Sequence, residues 1–449
     1  MKKPVTVLYL LILCLLPLLS WGIDVGQSSM PLTISSSGTY ELTEDITYAG
    51  GAAITITSAA ADVIIRGKNG THYTLTVSGG DAITSNNAWN SLEVYDINVA
   101  MNGAYDCVHM RNTTGTKTVK VHDVTFNMNL TSASGEINGI WFDGGLGTIL
   151  GSIYNNTFTF SGTYSGTNRA SAVAGTGPST SASNKFEIYN NTITITGHQT
   201  EGIRFYGGNY WVIRNNTITS ESSADNNKFI QIDGNADYCE VYKNTLTINS
   251  TNTSSASYGI RVRYGADYTK VYDNNIDASG GNSGSYASHC IAAAGEQDTD
   301  PESEPPVDLP PNGLEVYNNT LKSAGSGFCI LLPGSVTNSY YYCNGCTKDS
   351  GYGMSLTNYD TTPTMTNVEI AKNTFTITSY TDAVSIGSGI TTSDITFCSN
   401  TVNGSAMVTG DVTDAGSGGW SITSTCDKSC STVATPQIIG GSCSGCTIR

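Results

Sequence analysis

The chain has 449 residues, a formal net charge of −16, 13% charged residues and 49 glycines. That acidic balance excludes nucleic acid as the main partner, because nucleic acid is bound through a basic face; an acidic polysaccharide would need a local basic patch. Gly, Ser, Thr and Asn are abundant, as in turn-rich β proteins, and no stretch keeps a helical period.

Residues 1–22, "MKKPVTVLYLLILCLLPLLSWG", read as a secretory signal: two lysines, an apolar run, then Ser20-Trp21-Gly22 as a small-residue cleavage region. The run is short for a membrane span, and it continues past Cys14, which argues against a lipoprotein. No later apolar stretch is long enough to cross a bilayer, so the mature chain is expected to be secreted or held at the cell surface without a span of its own. Residues 23–50 are expected to form an N-terminal cap.

One pattern recurs over residues 51–410. "IYNNTFTF" at 153 returns as "IYNNTITI" at 188, "IRNNTITS" at 213, "VYKNTLTI" at 241, "VYDNNIDA" at 271, "VYNNTLKS" at 316 and "IAKNTFTI" at 370. Each places an Asn inside an apolar, β-prone run, although a buried amide without partners costs about 1–3 kcal/mol. The series is Asn156, Asn191, Asn216, Asn244, Asn274, Asn319, Asn344, Asn373 and Asn400, at steps of mostly 25–30 residues. Upstream, "LEVYDINV" and "VKVHDVTF" fit the same register, with Ile97 and Val124 at the Asn position. A period of this length means stacked units that share one core.

Three short strands fill each unit. In "GIRVRYGADYTKVYDNNI" (259–276), Ile260 and Val262 alternate on one face, "YGADY" is a turn, Val271 faces in on a second strand, and Asn274 and Ile276 face in on a third. The inward step from Val271 to Asn274 is three residues, so alternation fails and the chain turns a corner. Asn tolerates the left-handed conformation of such a corner. Stacked coil upon coil, its amide can bond the Asn above and below.

The "V-Y-N-N-T" corner, the "G-I-x-x" strand and the coil length resemble the right-handed parallel β-helix of the pectate-lyase-like superfamily. The resemblance implies an all-β, single-stranded right-handed parallel β-helix, a solenoid of about thirteen coils with an inward Asn ladder. At ~4.8 Å per coil the rod would be roughly 60 Å long. Residues 411–449 would close the other end with a Cys-rich cap.

The same resemblance directs attention to the outer face of the first strand of each coil. Read in register, that face carries His109 and Arg111, Trp141 and Asp143, Arg204 and Tyr206, Gln231 and Asp233, then Arg261 and Arg263. Later coils offer "CIAAA", "CILLP" and "GMSLT", which carry no such chemistry. Four of the eight arginines lie on this stripe. Arg forks match carboxylates and aromatic faces stack on sugar rings, so an acidic polysaccharide is the expected partner. A bland alternative is a ladder of surface ion pairs, each contributing about 0–1 kcal/mol.

An eliminating enzyme needs a group that neutralises the uronate carboxylate, a base and an acid. Arg261 or Arg263 fits the first role and Tyr206 the last; the resemblance makes Arg204 the base, against its high intrinsic pKa. Hydrolysis fits less well, since Asp143 and Asp233 stand about three coils, roughly 14 Å, apart, beyond the ~9.5 Å limit for a glycosidase pair. No Asn-Thr-Asp or Gly-His-Gly occurs, only "GHQ" at 197–199. The resemblance leaves room for calcium, but Asp143 and Asp233 are too far apart to share an ion, and no residue is named as a metal ligand. The competing class is a non-catalytic adhesive or carbohydrate-binding rod. The sequence carries no signal for oligomeric state.

The insertion 295–313 holds six acids and five prolines and reads as a solvated loop. His198 and His289 read as solvated loop histidines. Sequons at Asn155, Asn190, Asn215 and Asn318 follow from the repeat itself. Besides Cys14 there are eleven cysteines; "CNGC" (343–346) and "CDKSC…CSGC" (426–446) have spacings that suit zinc or, in an exported chain, disulfides. Register predicts a Cys290–Cys329 disulfide. Each precedes an inward isoleucine, so both should point outward at one level, ~4.8 Å apart on adjacent strands and within disulfide range.

Overall fold

The computed structural model describes residues 22–57, 62–87, 89–113, 115–130, 135–143, 147–162, 169–177, 180–197, 199–221, 226–250, 255–280, 286–293, 295, 310–357, 363–379, 382–415 and 418–430. His198, residues 296–309 of the insertion, the signal segment up to residue 21, Cys443 and Cys446 lie outside the described residues.

A single coil shows how the sequence builds the rod. Its first strand is Ser257–Val262, its second Lys270–Tyr272 and its third Asn275–Ala278. Each pairs in parallel with its counterpart one period away: Ile260 with Ile230 and Ile291, Val271 with Val241 and Val316, Ile276 with Leu246 and Leu321. Repetition yields three sheets of 14, 15 and 14 strands among the described residues, for the first, second and third strands respectively. The expected fold therefore holds: the chain is a right-handed parallel β-helix. The paired strands run on through Ile23–Val25, Leu32–Ile34, Gly38–Leu42 and Ile46–Tyr48, and through Val412–Asp414 and Trp420–Thr423. The sheets therefore count slightly more strands than the thirteen coils expected. No helix among the described residues is long and apolar enough to cross a membrane.

Like stacks on like inside the rod. Aliphatic columns from the three sheets meet in one core, with Phe126 stacked on Phe158 and Trp211 on Phe205. All nine expected ladder asparagines are buried there. Asn244 Nδ2 donates to Asn274 Oδ1 at 3.0 Å and to Ile213 O at 3.0 Å, while its backbone N–H reaches the same Oδ1 at 3.0 Å. The link between side-chain amides repeats at every step from Asn156 to Asn400. At the N-terminal end of the ladder, the Val124 N–H donates to Asn156 Oδ1 at 3.1 Å.

The corner differs from expectation in one respect. The left-handed residue is the one before the ladder Asn: Asn155, Asn190, Asn215, Lys243, Asp273 and Asn318 have φ of 54–57°. The first residue of "N-N-T" makes the turn and the second carries the ladder.

Three disulfides are present among the described residues, Cys329–Cys346, Cys343–Cys430 and Cys398–Cys426. The expected Cys290–Cys329 bond is corrected: Cys290 is a buried free thiol. Its register with Cys329 is as read, since Ile291 pairs with Ile330, but both side chains point into the rod. The first strand bends at that position, so the residue before the isoleucine also faces in. Cys329 there meets Cys346 of the third strand, and the Cys290 thiol lies 3.2 Å from Lys322 O. Both cysteines of "CNGC" are thus in disulfides rather than around a metal.

Candidate functional site

The bend in the first strand decides which side chains line the outer face. A Cβ on Gly202 would meet Ile218 Cδ1 at 3.0 Å, and one on Gly259 would meet Ile276 Cγ2 at 2.9 Å. The glycine position therefore points inward, as does the isoleucine after it. The outward positions are the residue before the glycine and the residue after the isoleucine. This creates a column that simple alternation overlooks: Ser171, Glu201, Lys228, Tyr258 and His289 in register. Beside it run the expected columns, His109–Trp141–Ala174–Arg204–Gln231–Arg261 and Thr176–Tyr206–Asp233.

Midway along the face these columns form one dense ionic cluster. Glu201, Lys228, Gln231, Asp233, Arg261 and Arg263 are all buried. Arg263 clamps Asp233, Nε to Oδ1 at 2.8 Å and Nη2 to Oδ2 at 3.3 Å, and Nη1 donates to the Tyr264 hydroxyl at 2.9 Å. Gln231 Nε2 donates to Asp233 Oδ2. Glu201 faces Arg169 at 3.8 Å and Arg204 at 3.7 Å, and Arg261 lies over the Tyr258 ring at 5.0 Å. Five cationic side chains thus surround two carboxylates, a local basic patch on an acidic chain.

Two consequences are electrostatic. Burial would raise the Asp233 carboxyl, but Arg263, then Arg261 and Arg204, outweigh it and hold it below its ordinary value. Burial, followed by the neighbouring Arg261, pushes the Lys228 ammonium down to about 7; its Nζ sits 2.6 Å from Asn226 Oδ1. A third feature is polar but unsatisfied: Gln231 Oε1 is buried without a donor, and Arg204 Nε without an acceptor. Orphans of this kind point to a group supplied from outside the chain.

Of the stripe residues, Arg204, Tyr206, Gln231, Asp233, Arg261 and Arg263 fall in or beside this cluster. His109, Arg111 and Asp143 do not: they form a second group, with His109 and Arg111 three coils from Arg204, and Asp143 on the intervening coil of Trp141, one step from His109. His109 Nδ1 lies 3.0 Å from Asp81 Oδ2 and 3.0 Å from Asp106 Oδ2, and its Nε2 lies 3.8 Å from Asp143. Arg111 Nη2 reaches Asp81 Oδ2 at 3.2 Å. Burial disfavours the imidazolium, but hydrogen bonds to Asp106 and Asp81 outweigh it and lift His109 to about 9.

Sequence reasoning missed Glu201, Lys228, Tyr258, Asp81 and Asp106, all immediately or shortly before the bend. For Glu201 and Tyr258 the available signal was the glycine of "G-I", which marks where two successive residues turn inward; Lys228, Asp81 and Asp106 precede Phe229, Ala82 and Cys107 and carry no such mark. His289 is also corrected. It is not in a solvated loop but buried in the strand Ser288–Ala293, stacked between Tyr258 and Phe328 at 5.3 and 5.4 Å. Burial pushes its pKa down to about 3.

No protein-family model matches the chain, and no curated protein does. Among solved structures, it is similar to a polysaccharide lyase family 6 alginate lyase complexed with a trisaccharide (10% identity, 87% of each chain, TM-score 0.46). It is also similar to a mannuronic-acid-specific family 6 lyase from human gut microbiota (13%, 85% of this chain and 86% of that one, 0.38). A third is the endo-xylogalacturonan hydrolase of Aspergillus tubingensis (12%, 87% and 88%, 0.32). At such identities the function has to be read from this chain's own side chains.

Proposed function

We propose that the outer face of the first sheet binds an acidic polysaccharide and cleaves it by β-elimination. The observation that carries the reading is a buried lysine, Lys228, poised near neutrality inside an arginine cluster. A guanidinium stays protonated in proteins, so the base role moves from Arg204 to Lys228, whose neutral form is populated around pH 7. The Lys228 amine takes the proton next to the uronate carboxylate. Arg204 and Arg261 face the negative charge that develops there, in a site where burial strengthens the attraction. The bond to the leaving sugar oxygen breaks as the carbon–carbon double bond forms, and the new Lys228 ammonium returns its proton to that oxygen. Gln231 Oε1 accepts from a sugar hydroxyl. Arg263 is held by Asp233 and Tyr264 and serves to position the cluster. Tyr206, on the far side of the Arg204–Gln231 column from Lys228, contacts substrate at the rim. Three disulfides among the described residues favour an oxidising compartment, in keeping with an exported rod.

The test is a panel of uronate polymers, including mannuronate-, guluronate- and galacturonate-rich chains, with ultraviolet absorbance of the unsaturated product as the readout. Wild-type protein should generate that product from at least one polymer, and Lys228→Met should abolish it while retaining binding. Binding across the panel without product would leave a non-catalytic carbohydrate-binding rod. Absence of binding to every polymer would overturn the reading.

A further inference from the structure

The second ionic group on the first sheet has a use of its own. Asp81 lies on one coil, and Asp106 and His109 on the next. One ligand atom from each falls within 4.8 Å of the others, and His109 Nδ1 lies 3.0 Å from both Asp81 Oδ2 and Asp106 Oδ2. Both carboxylates are held by their other oxygen. Asp81 Oδ1 accepts the Asp106 backbone N–H at 3.2 Å, and Asp106 Oδ1 accepts the Asn138 N–H at 3.0 Å and its Nδ2–H at 2.9 Å. Rotation of either carboxylate would break these bonds, so both Oδ2 atoms stay aimed at the imidazole. On the opposite edge of the ring, His109 Nε2 is buried without a hydrogen-bond partner and faces Asp143 Oδ2 at 3.8 Å. A short closure would make that contact a bond.

We propose that Asp81, Asp106 and His109 form a binding site for a first-row divalent cation. The arrangement has the parts of such a site: three converging donors, carboxylates fixed by outer partners, and a carboxylate on the far side of the imidazole that fixes its tautomer. One nitrogen with two carboxylate oxygens suits zinc, manganese or cobalt rather than calcium, which takes oxygen donors alone. The ion replaces the proton shared by Nδ1 and the two oxygens. Arg111, exposed and reaching the same Asp81 oxygen, swings outward to relieve the added charge. The ion joins two successive coils, and its remaining coordination positions open on the outer face. It lies three coils, roughly 14 Å, from the Arg204 cluster, so the two sites can be tested apart.

The experiment titrates cobalt(II) into full-length protein freed of metal with a chelator and monitors the visible absorption of nitrogen-ligated cobalt. One equivalent should develop a saturable band, zinc should displace it and calcium in equal amount should not. Thermal midpoint should rise with the band. His109→Gln and Asp106→Asn should each weaken binding at least tenfold, and Asp143→Asn by less. Because Asp106→Asn also alters the Asn138 contacts, its fold is checked by circular dichroism, and the wild-type titration stands without it. No saturable band in wild-type protein would overturn the proposal. So would equal competition by calcium, or a band unchanged in His109→Gln.

Discussion

Arg263 and Asp233 face each other across one coil step, with side-chain exposures of 3% and 0%. A surface ion pair at these positions would matter little; this pair is inside, and its two members depend on each other. Arg263→Ala should cost about 3–5 kcal/mol, because a buried carboxylate loses its partner. Urea unfolding at pH 7 measures it. The pH dependence has a definite sign. Asp233 is held below its ordinary value in the folded chain, so its contribution is present above the unfolded carboxylate pKa and lost as pH falls through the folded one. The Arg263→Ala variant should lack that acid-side loss.

Lys228 gives a rise of the same sign in a different, more alkaline window. Its folded value of about 7 lies well below the ~10.4 of an unfolded lysine. Between these values the unfolded chain binds more protons, so stability should rise with pH across that window. Lys228→Met should flatten this rise. If Lys228 is the base, product formation by the wild type should climb through pH 7 as the amine loses its proton, whereas a flat rate profile from pH 6 to 8 would remove Lys228 from that role.

The Asn ladder invites a substitution that keeps the branched outline of the side chain and removes hydrogen bonding. Asn244→Leu takes from Asn216 the ladder acceptor of its Nδ2 and of its backbone N–H, and leaves Asn274 Oδ1 without its side-chain donor. A loss of about 1–3 kcal/mol is expected for the stranded groups, read as a shift in unfolding midpoint with unchanged denaturant slope.

Peptide mapping without reduction should recover Cys329 linked to Cys346, Cys343 to Cys430 and Cys398 to Cys426. Cys107, Cys239 and Cys290 are buried thiols and should resist alkylation until the chain is unfolded. Rapid labelling of Cys290 in native protein would contradict the inward bend assigned to its strand.

The period, the three strands and the ladder were legible because they rest on repetition: a register error in one coil is exposed by the next. The site was legible only in part. Arg204, Gln231 and Arg261 lie after the isoleucine, where strict alternation works. Lys228 and Glu201 lie before the bend, where alternation assigns them to the wrong side. The same bend misplaced Cys290 and Cys329, whose relative register was right and whose direction was not. Burial of Asp233 and Arg263 was not legible, because a strand pattern specifies a face and says nothing of what neighbouring coils heap upon it. The left-handed corner moved by one residue for a local reason: the turn needs φ near 55°, and the next residue must return to strand geometry to point its amide inward.

The ladder also has a direction. From Asn156 to Asn373 every side-chain amide donates to the next ladder amide on the C-terminal side, while its other N–H reaches a backbone carbonyl on the N-terminal side. The amide dipoles therefore add head to tail, and bonds in such a chain polarise one another. The chain of ladder links is polar along the axis, with the Asn156 carbonyl oxygen facing Val124 at one end and Asn400 accepting the last link at the other. A break at an interior member divides one long dipole into two short ones, each with a new terminus to satisfy. Loss of Asn400 only trims the end. Nine chemically identical residues are thus unequal, and their rank follows from position alone.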